Sequence, residues 1–458
     1  MQFETLFRAA RDKPVTAALI GAGEFGLSLI AQSRRMQGLK ILAAADKDLA
    51  RVSAALKAMG VAARRCDSAA AAKAAIAAGD VALCESVSDL LALPLDMVVE
   101  ATGDAEAGAR HAAQAIDAGI GVTMVSKEAE CVVGPLLAAR ARKAGVGYTL
   151  VEGDQPALLI GLVSWARTLG LPIMAAGKSS EYDYVYDPAT HRVTWTDRSV
   201  TAPDIAGLWT LGKDAGATIA ARAAALAELP QRTVPDNCEM ALVANATGLM
   251  PDRPDFHAPM AHTPELPDIY RPRGEGGVLD KPGALDVFNC LRRPDEASFA
   301  GGVYVVVEWA DAKTGALFRG KGIPVCSNDR YGLVYNPSHL LGVEAPITIM
   351  AAARLNHSVV DERYRPVVDL TARATRDLPP GHKLEIVGTR HAVPHLEPGL
   401  TPAASVSGGT PLPYYMAVNR TLTRAVRKGD AITADCVAAP GSSVLWSLRA
   451  EQDRLFGG

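Results

Sequence analysis

The sequence lacks long hydrophobic runs, paired cysteine motifs and a strong excess of charge of either sign. No run of about 18 apolar residues occurs, so no membrane span is expected. The seven cysteines are scattered and include no C-x-x-C pair, which argues against a disulfide framework and a structural zinc site. A net charge of −3 gives no general attraction to nucleic acid or to anionic membranes. We therefore expect a cytoplasmic protein whose partner is a small-molecule substrate, with neither nucleic acid nor membrane as a partner.

Two catalytic motifs are also missing. The sequence contains neither a G-x-S-x-G elbow nor a P-loop lysine motif, so it gives no support to a hydrolase or a kinase. The first residues have no apolar core of signal-peptide length. A length of 458 residues, 49% of them hydrophobic and 21% charged, is typical of a globular protein with two to four domains.

A glycine-rich turn near the N-terminus is the strongest positive signal. The apolar run Val15–Ile20 leads directly into G-x-G-x-x-G, and a helix-like pattern follows. Gly21 permits the sharp turn, Gly23 lets a pyrophosphate approach the backbone, and Gly26 lets helix and strand pack closely. The start of the helix then offers free N–H groups and a positive dipole end to the phosphates. This order of strand, turn and helix predicts a dinucleotide site.

An acid at the end of the next strand strengthens that prediction. Asp46 ends an apolar run and lies 20 residues beyond Gly26, the spacing at which a carboxylate meets the adenosine ribose hydroxyls. An acid here favours NAD over NADP. Lys47 and Arg51 lie nearby and would tolerate a 2′-phosphate, so the choice between NAD and NADP stays open.

The pattern of residue types along the chain divides it into three segments. Alternating strands and helices up to residue 151 predict an α/β domain with a doubly wound parallel sheet, whose ligand lies at the carboxyl ends of the strands. Residues 152–364 predict a second α+β domain for substrate and oligomerisation, with a helix near 340–355 that packs back on the first. Residues 365–458 are rich in turns and predict a small β-rich domain. The residues expected to line the cofactor site are Gly21, Gly23, Glu24, Phe25, Gly26, Asp46, Ala101, Thr102, Gly103 and Ser126.

Four residues are candidates for chemistry. Lys127 follows a strand that should end near the nicotinamide, where a lysine can protonate a carbonyl oxygen, although it would serve equally as a solvated loop lysine. Lys178 follows an apolar strand and would anchor a phosphate or carboxylate, or be a solvated lysine at a strand end. Asp154 and Glu239 are candidate acids for proton transfer or for a divalent cation. Their distance in sequence says nothing about their distance in space, so the residues of any metal site stay unassigned.

Several of these motifs resemble known oxidoreductases. The run Glu100–Gly103 and the pair Ser126-Lys127 resemble homoserine dehydrogenases, in which the lysine of an Asn-Lys pair is catalytic. Most of the remaining chain resembles the 1-deoxy-D-xylulose 5-phosphate reductoisomerase-like (DRL) oxidoreductases. The shared motifs are Gly153-Asp154-Gln155-Pro156-Ala157-Leu158, Ala176-Gly177-Lys178, Glu239-Met240 with Ala244-Asn245 and Gly248-Leu249, Arg271-Pro272 with Gly276-Gly277-Val278-Leu279, Gly302-Val303-Tyr304-Val305-Val306, Arg330-Tyr331 through Pro337, and His339-Leu340 with Gly342.

The resemblance has structural and functional implications. It implies a Rossmann domain, a second α+β catalytic and dimerisation domain, and a homo-oligomeric NAD(P)-dependent oxidoreductase. The segment Arg424–Asp430 resembles a SAF domain, the small β-clip module, and the resemblance extends this assignment to the C-terminal domain.

The sequence departs from the family pattern at two places. The resemblance implies a lysine just before Glu239 and another before Gly276, whereas this chain has Pro235-Asp236-Asn237 and Glu275. Because each lost charge-assisted bond costs about 1.5–3 kcal/mol, binding of a sugar phosphate should weaken. We therefore expect an oxidoreductase for a small hydroxy or keto compound, and an unphosphorylated compound fits these departures at least as well as a sugar phosphate.

Two alternatives remain. One is 1-deoxy-D-xylulose 5-phosphate reductoisomerase, which uses NADPH and a divalent cation to make 2-C-methyl-D-erythritol 4-phosphate. The other is a non-catalytic nucleotide-binding sensor. A divalent cation is expected only for the reductoisomerase.

Overall fold

The computed structural model describes residues 2–388 and 390–457. The first 150 residues form one seven-stranded sheet in the order β3-β4-β2-β1-β5-β6-β7, with every neighbouring pair parallel. Its strands are β1 (Val15–Ile20), β2 (Leu39–Ala45), β3 (Ala63–Cys66), β4 (Val81–Cys84), β5 (Met97–Glu100), β6 (Gly121–Met124) and β7 (Tyr148–Leu150). Its helices are α1 (Phe3–Leu6), α2 (Arg8–Asp12), α3 (Glu24–Ser33), α4 (Leu49–Ala58), α5 (Ala69–Ala77), α6 (Val87–Leu91), α7 (Ala105–Asp117) and α8 (Lys127–Ala144). The expected Rossmann-type sheet is confirmed.

This sheet has apolar side chains on both faces because helices cover both. Five of the six residues of β1 are buried, and all four residues of each of β4, β5 and β6 are buried. Such continuous burial is the pattern of a parallel sheet packed between helices. The chain moves from β1 to β2 on one side and returns to β5 on the other, so the strand order reverses between β1 and β5. A crevice at such a reversal is where ligands bind in this architecture.

The second region is built on a mixed sheet. Its strands are β8 (Ile173–Asp187), β9 (Arg192–Trp195), β10 (Arg198–Thr201), β11 (Met250–Pro251), β12 (Met260–Ala261), β13 (Ala284–Arg292), β14 (Val303–Glu308) and β15 (Tyr331–Asn336). Its helices are α9 (Gln155–Thr168), α10 (Ala215–Ala225), α11 (Val234–Thr247), α12 (Leu266–Ile269), α13 (Ala312–Gly320) and α14 (Pro346–Leu355). The central strand β8 pairs parallel with β13 and antiparallel with β14. The last helix, α14, packs against β1, β6 and β7 of the first sheet.

The two candidate lysines lie within regular elements. The apolar run before Lys178 continues through Tyr182, Tyr184 and Tyr186 as one strand of 15 residues, so Lys178 lies inside β8 and not at a strand end. A shift in the β8–β13 register near Phe288 lets the long strand stay paired. Helix α8 begins at Lys127 and runs through Pro135, so Lys127 lies in the first turn of a helix and not in a loop.

The C-terminal region has little regular sheet. It contains the antiparallel pair β16 (Val368–Ala374) and β17 (Leu396–Pro402), the short helix α15 (Tyr414–Ala417) and the final helix α16 (Val444–Phe456). Isolated bridges such as Leu378 with Val426 tie its loops together. Its assignment as a SAF domain stays a prediction.

The C-terminal region docks on the first domain through α16. The Glu106 carboxylate at the start of α7 accepts the N–H groups of Val444 and Leu445 and the Ser443 hydroxyl. This side chain from another domain thus satisfies the free donors at the start of α16. Arg140 of α8 pairs with Glu451 through two nitrogens. In residues 2–388 and 390–457, no helix is long and apolar enough to cross a membrane.

Candidate active site

The glycine turn has the geometry that a dinucleotide requires. Gly21 has a φ of +91°, and a Cβ on it would lie 2.4 Å from the carbonyl oxygen of Ala101. A Cβ on Gly26 would lie 2.5 Å from a methyl group of Leu19, so helix α3 could not sit this close to β1. A Cβ on Gly23 would meet no described atom within 4 Å, so this residue faces open space. A bare backbone facing open space at the start of a helix suits a pyrophosphate.

Asp46 ties the second strand to this turn. Its Oδ2 accepts the Ala22 N–H at 2.7 Å and lies 3.2 Å from a guanidinium nitrogen of Arg51. Its Oδ1 accepts the Asp48 N–H at 2.9 Å. The same Arg51 nitrogen donates to the Ala22 carbonyl at 3.0 Å. The acid expected at the ribose therefore also holds the glycine turn, with a half-exposed arginine beside it.

The other expected cofactor residues lie at the same edge of the sheet. The Ala101 N–H donates to the Ile20 carbonyl at 2.7 Å, which joins the ends of β5 and β1. The Thr102 hydroxyl donates to Glu100 Oε1 at 2.6 Å, and the Gly103 N–H donates to the Ser126 hydroxyl at 2.9 Å. Glu24 and Phe25 form the first turn of α3, beside Gly23. We call the ten residues expected at the cofactor site the cofactor edge: Gly21, Gly23, Glu24, Phe25, Gly26, Asp46, Ala101, Thr102, Gly103 and Ser126.

Five side chains from four elements meet next to the cofactor edge. Lys127 opens α8, Asp154 is the N-cap of α9, Lys178 lies in β8, and Asp236 and Glu239 lie three residues apart in α11. We call these residues the lysine–carboxylate cluster. Spacing of three places Asp236 and Glu239 on one face of the helix. All four residues predicted to carry chemistry are in this cluster, and their catalytic roles stay predictions.

Glu239 is the centre of the cluster because it bridges both lysines. Its Oε1 accepts a hydrogen bond from the Lys127 ammonium and its Oε2 accepts one from Lys178. Lys178 Nζ also donates to Asp236 Oδ1 at 2.7 Å, and Lys127 Nζ lies 3.3 Å from Asp154 Oδ2. Two cations and three carboxylates thus share one buried network.

The protonation states follow from these contacts. Burial alone would lower the pKa of Lys127, but the charges of Asp154 and Glu239 raise it well above its usual value. Burial likewise opposes the charge on Lys178, and Asp236 and Glu239 raise its pKa. Burial would raise the pKa of Glu239, yet its two ammonium partners bring it to about 2. Asp236 has one ammonium partner, so burial prevails and raises its pKa to about 6.

The two lysines differ in access. The side chain of Lys127 is 22% exposed, whereas that of Lys178 is 2% exposed. Of the two, only Lys127 can reach a bound molecule without rearrangement. For Lys178 to anchor a phosphate or carboxylate, it would have to leave Asp236 and Glu239.

Sequence reasoning missed Asp236 as a site residue. The sequence offers one indication of its role: this acid lies close to the position, just before Glu239, at which the resemblance implies a lysine. In the structure the Asp236 carboxylate pairs with Lys178. The other departure, Glu275, accepts hydrogen bonds from Arg330 at 2.8 Å and from the Tyr331 hydroxyl at 3.0 Å. Both acids are therefore engaged by groups of the protein itself.

Comparison with protein families agrees with this geometry. Residues 153–345 match the catalytic domain of oxidoreductase DRL, and residues 21–150 match the NAD-binding domain of homoserine dehydrogenase. The chain combines an NAD-binding domain of the homoserine dehydrogenase type with a catalytic domain of the oxidoreductase DRL type. The first match includes Asp154, Lys178 and Glu239, and the second includes the cofactor edge and Lys127. No curated protein matches the sequence.

Several solved structures resemble parts of this chain. An oxidoreductase from Agrobacterium radiobacter, crystallised with NAD+, L-tartaric acid and magnesium, is 16% identical, with a TM-score of 0.29 over 37% of this chain and 46% of its own. The 1-deoxy-D-xylulose 5-phosphate reductoisomerase from Zymomonas mobilis, with NADPH, is 18% identical, with a TM-score of 0.27 over 37% and 46%. The WlbA dehydrogenase from Bordetella pertussis, with NADH and UDP-GlcNAcA, is 18% identical, with a TM-score of 0.27 over 39% and 49%. The chain spans about half the length of these proteins.

Each carboxylate of the lysine–carboxylate cluster already pairs with a lysine of the protein. Asp154, Asp236 and Glu239 each lie within 3.3 Å of an ammonium nitrogen. Among residues 2–388 and 390–457, no group of three or more histidine, cysteine, aspartate or glutamate side chains is arranged to hold a metal ion.

Proposed function

We propose that this DRL-like oxidoreductase transfers hydride between nicotinamide and a carbonyl or alcohol carbon of a small unphosphorylated substrate. The observation that carries the proposal is the position of Lys127. Its charged ammonium is partly exposed, lies beside the cofactor edge and is held in place by Glu239 and Asp154.

The cofactor edge supports binding of the dinucleotide. Gly21, Gly23 and Gly26 provide the turn, Asp46 provides an acceptor for the ribose, and Thr102 to Gly103 lie at the neighbouring strand end. When bound, the nicotinamide supplies or accepts the hydride. These residues would hold the group at the end of the sheet beside the start of α8, where Lys127 lies.

Lys127 supplies the proton in the direction of reduction. As hydride reaches the carbonyl carbon, negative charge grows on the oxygen, and a fixed ammonium nearby stabilises that charge. The oxygen takes a proton from Lys127, and solvent restores the proton to the amine. Glu239 and Asp154 orient the ammonium, and the buried Lys178 keeps Glu239 charged and in place. In this assignment Lys127 touches the substrate, while Lys178 is a positioning residue.

The charges of the cluster support an unphosphorylated substrate. Two ammonium groups face three carboxylates, so the cluster has no surplus positive charge for a phosphate. The two places where the family resemblance implies lysines carry Asp236 and Glu275, both already bonded within the protein. A phosphate dianion placed here would meet carboxylates without a free cation from the cluster.

The test combines cofactor titration with turnover. NADH and NADPH are titrated by protein fluorescence, with and without magnesium and fosmidomycin, and cofactor oxidation is then followed with unphosphorylated keto and hydroxy acids and with deoxyxylulose phosphate. We expect a cofactor affinity that fosmidomycin does not change, and turnover of an unphosphorylated compound. NADPH binding coupled to magnesium and fosmidomycin, with turnover of the sugar phosphate, would contradict the proposal. Binding without any turnover would favour the sensor.

We also propose a cytoplasmic location and a homo-oligomeric assembly. The seven cysteines are buried and free, which suits a reducing compartment. Strand β15 pairs with β14 on one edge, and residues 324–326 bond only the first half of its other edge, beyond which Tyr335 is 41% exposed. An exposed strand edge with an aromatic side chain is a surface on which a second copy can pair.

A further inference from the structure

A hairpin of the C-terminal region lies beside the start of helix α8, which carries Lys127. Val387 and Ala392 pair across its base. The Tyr414 hydroxyl donates to the His391 carbonyl at 2.8 Å and accepts the Val393 N–H at 2.9 Å. His391 has a φ of +54°, a left-handed conformation that costs free energy for a residue other than glycine. Such strain persists where surrounding contacts fix it, and it is frequent at functional sites.

Two adjacent side chains of this hairpin contact the two other domains. Arg390 Nε lies 3.2 Å from Glu181 Oε2, and its guanidinium lies over the rings of Trp195 and Tyr182. His391 Nε2 lies 3.6 Å from Glu128 Oε1. Glu181 follows Lys178 by three residues in β8, and Glu128 is the residue after Lys127. Arg390 and His391 are therefore each held by a different element, Arg390 by β8 and His391 by the first turn of α8.

A cavity of about 770 Å³ opens where the hairpin meets the cofactor edge. Gly103 and Asp104 line one end, and the C-terminal region contributes His391, Tyr415 and Arg420. Tyr415 is 7% exposed and its hydroxyl has no hydrogen-bond partner among the described residues. The side chain of His391 is 26% exposed, and within the same residues neither of its ring nitrogens has a hydrogen bond. The His391 ring is partly exposed where it lines this cavity, so its nitrogens are available to a molecule bound there.

We propose that His391 is a substrate-contacting residue, carried into the active site by the C-terminal domain, and that it binds a hydroxyl group next to the carbon that undergoes hydride transfer. This inference rests on the proposed function and names a class of substrate for it: a small carbonyl or alcohol compound that has at least one hydroxyl beside the reacting carbon.

The surroundings of His391 suit a hydroxyl. Burial and the charge of Lys127 lower the pKa of the imidazole, and Asp104 opposes them only in part. The facing Glu128 is itself buried, which raises its pKa to about 7. A neutral imidazole has one donor and one acceptor nitrogen, and a hydroxyl group can use either. Lys127, by contrast, only donates, so the two side chains distinguish a carbonyl oxygen from its hydroxylated neighbour.

The experiment compares His391→Ala, His391→Gln and the control His395→Gln. His395 lies four residues on, in the same region, and is exposed. Steady-state reduction by NADH gives kcat and KM for the turned-over substrate and for its analogue lacking the neighbouring hydroxyl, and fluorescence gives the NADH Kd. We expect His391→Ala to raise KM for the hydroxylated substrate about tenfold, the cost of one hydrogen bond. His391→Gln should recover part of this, and the NADH Kd should not change.

A binding readout separates this inference from the proposed function. In protein labelled with ¹⁵N-histidine, His391→Gln identifies the ring signals of His391, which should move when glycerate, tartrate or gluconate is added to the NADH complex. Two results together would overturn the inference while hydride transfer stands. His391→Ala would have the same KM values as His395→Gln for both substrate and analogue, and the three acids would leave the His391 ring signals unchanged. Loss of all turnover in the wild type would instead overturn the proposed function, and moving ring signals would still support contact by His391.

Discussion

The cofactor edge and the lysine–carboxylate cluster are neighbours built in different ways. At the cofactor edge, the turn from Gly21 to Gly26 is one continuous stretch, and a single distant acid, Asp46, completes it through the Ala22 N–H. The cluster takes its five side chains from α8, α9, β8 and α11, which are separated by up to 112 residues between Lys127 and Glu239. One region is a backbone surface with few charges, and the other is a network of charges held by packing.

This difference determines how each region fails. Loss of a side chain at the cofactor edge removes one contact to a ligand, because backbone N–H groups carry the rest. Loss of a side chain in the cluster leaves a buried charge without its partner, which costs both stability and the position of Lys127. Substitutions at the two regions should therefore separate cofactor affinity from turnover and stability.

The largest expected effect is at Lys127. Lys127→Met should lower kcat for carbonyl reduction by about 10²–10⁴-fold, the usual contribution of a positioned proton donor. The NADH Kd should remain within about twofold of the wild-type value, because the cofactor edge binds through other groups. Stopped-flow reduction and fluorescence titration measure the two quantities. Lys143→Met, exposed at the other end of α8, is the control. Normal turnover in Lys127→Met would remove this lysine from the mechanism.

The next effect is on stability at Lys178. Lys178→Met leaves Asp236 without its cation in a buried site, so the free energy of unfolding should fall by about 3–5 kcal/mol. Urea unfolding at pH 7.5 measures this change. Adding Asp236→Asn to Lys178→Met removes the stranded charge and should recover part of the loss. If the double variant is no more stable than Lys178→Met, the ion pair is not the source of the loss.

The pH dependence of stability distinguishes Glu239 from another acid of the same neighbourhood. The folded-state pKa of Glu239, about 2, lies below the usual 4.5, so its stabilisation is complete above pH 4.5 and is lost as pH falls toward 2. The stability advantage of the wild type over Glu239→Gln should therefore shrink, by at most about 3 kcal/mol, as pH falls from 5 to 3. Urea unfolding at each pH measures it, and an advantage independent of pH would contradict the assignment.

Glu130 provides the control of opposite sign. Burial raises its pKa to about 7, and its partners are the hydroxyls of Tyr148 and Tyr364 rather than a cation. A folded-state pKa above the usual value means that stability falls as pH rises from 4.5 to 7. Glu130→Gln should therefore gain stability relative to the wild type over this range, whereas Glu239→Gln should not.

The sequence predicts the cofactor edge better than the cluster for a physical reason. The turn at Gly21 to Gly26 depends on backbone conformation within a few residues, so the local sequence is enough to predict it. Lys127, Asp154, Lys178 and Glu239 could each be singled out, yet only the packing of α11 against α8 and α9 makes them neighbours. Asp236 was visible only as an acid in an unexpected place. His391 has no motif, since the hairpin that carries it is positioned by Tyr414 and by contacts to two other domains.

The smallest expected effect is at the cofactor edge and concerns the choice between NAD and NADP. Asp46→Asn should weaken NADH about tenfold, because an uncharged amide is a poorer acceptor for the ribose hydroxyls. NADPH should be much less affected, since its 2′-phosphate gains from the loss of the negative charge. Arg51→Ala should act in the opposite sense and weaken NADPH by a similar factor, because its half-exposed guanidinium is the cation beside Asp46.

Fluorescence titration of both cofactors with both variants completes this test. Asp46 has two functions in the structure, since it also accepts the Ala22 N–H and so holds the glycine turn. If Asp46→Asn weakened NADH and NADPH equally, the acid would act through the turn rather than through the ribose. The contrast between a backbone surface and a charge network would then be sharper still, because Asp46, a charged side chain of the cofactor edge, would serve the backbone as well.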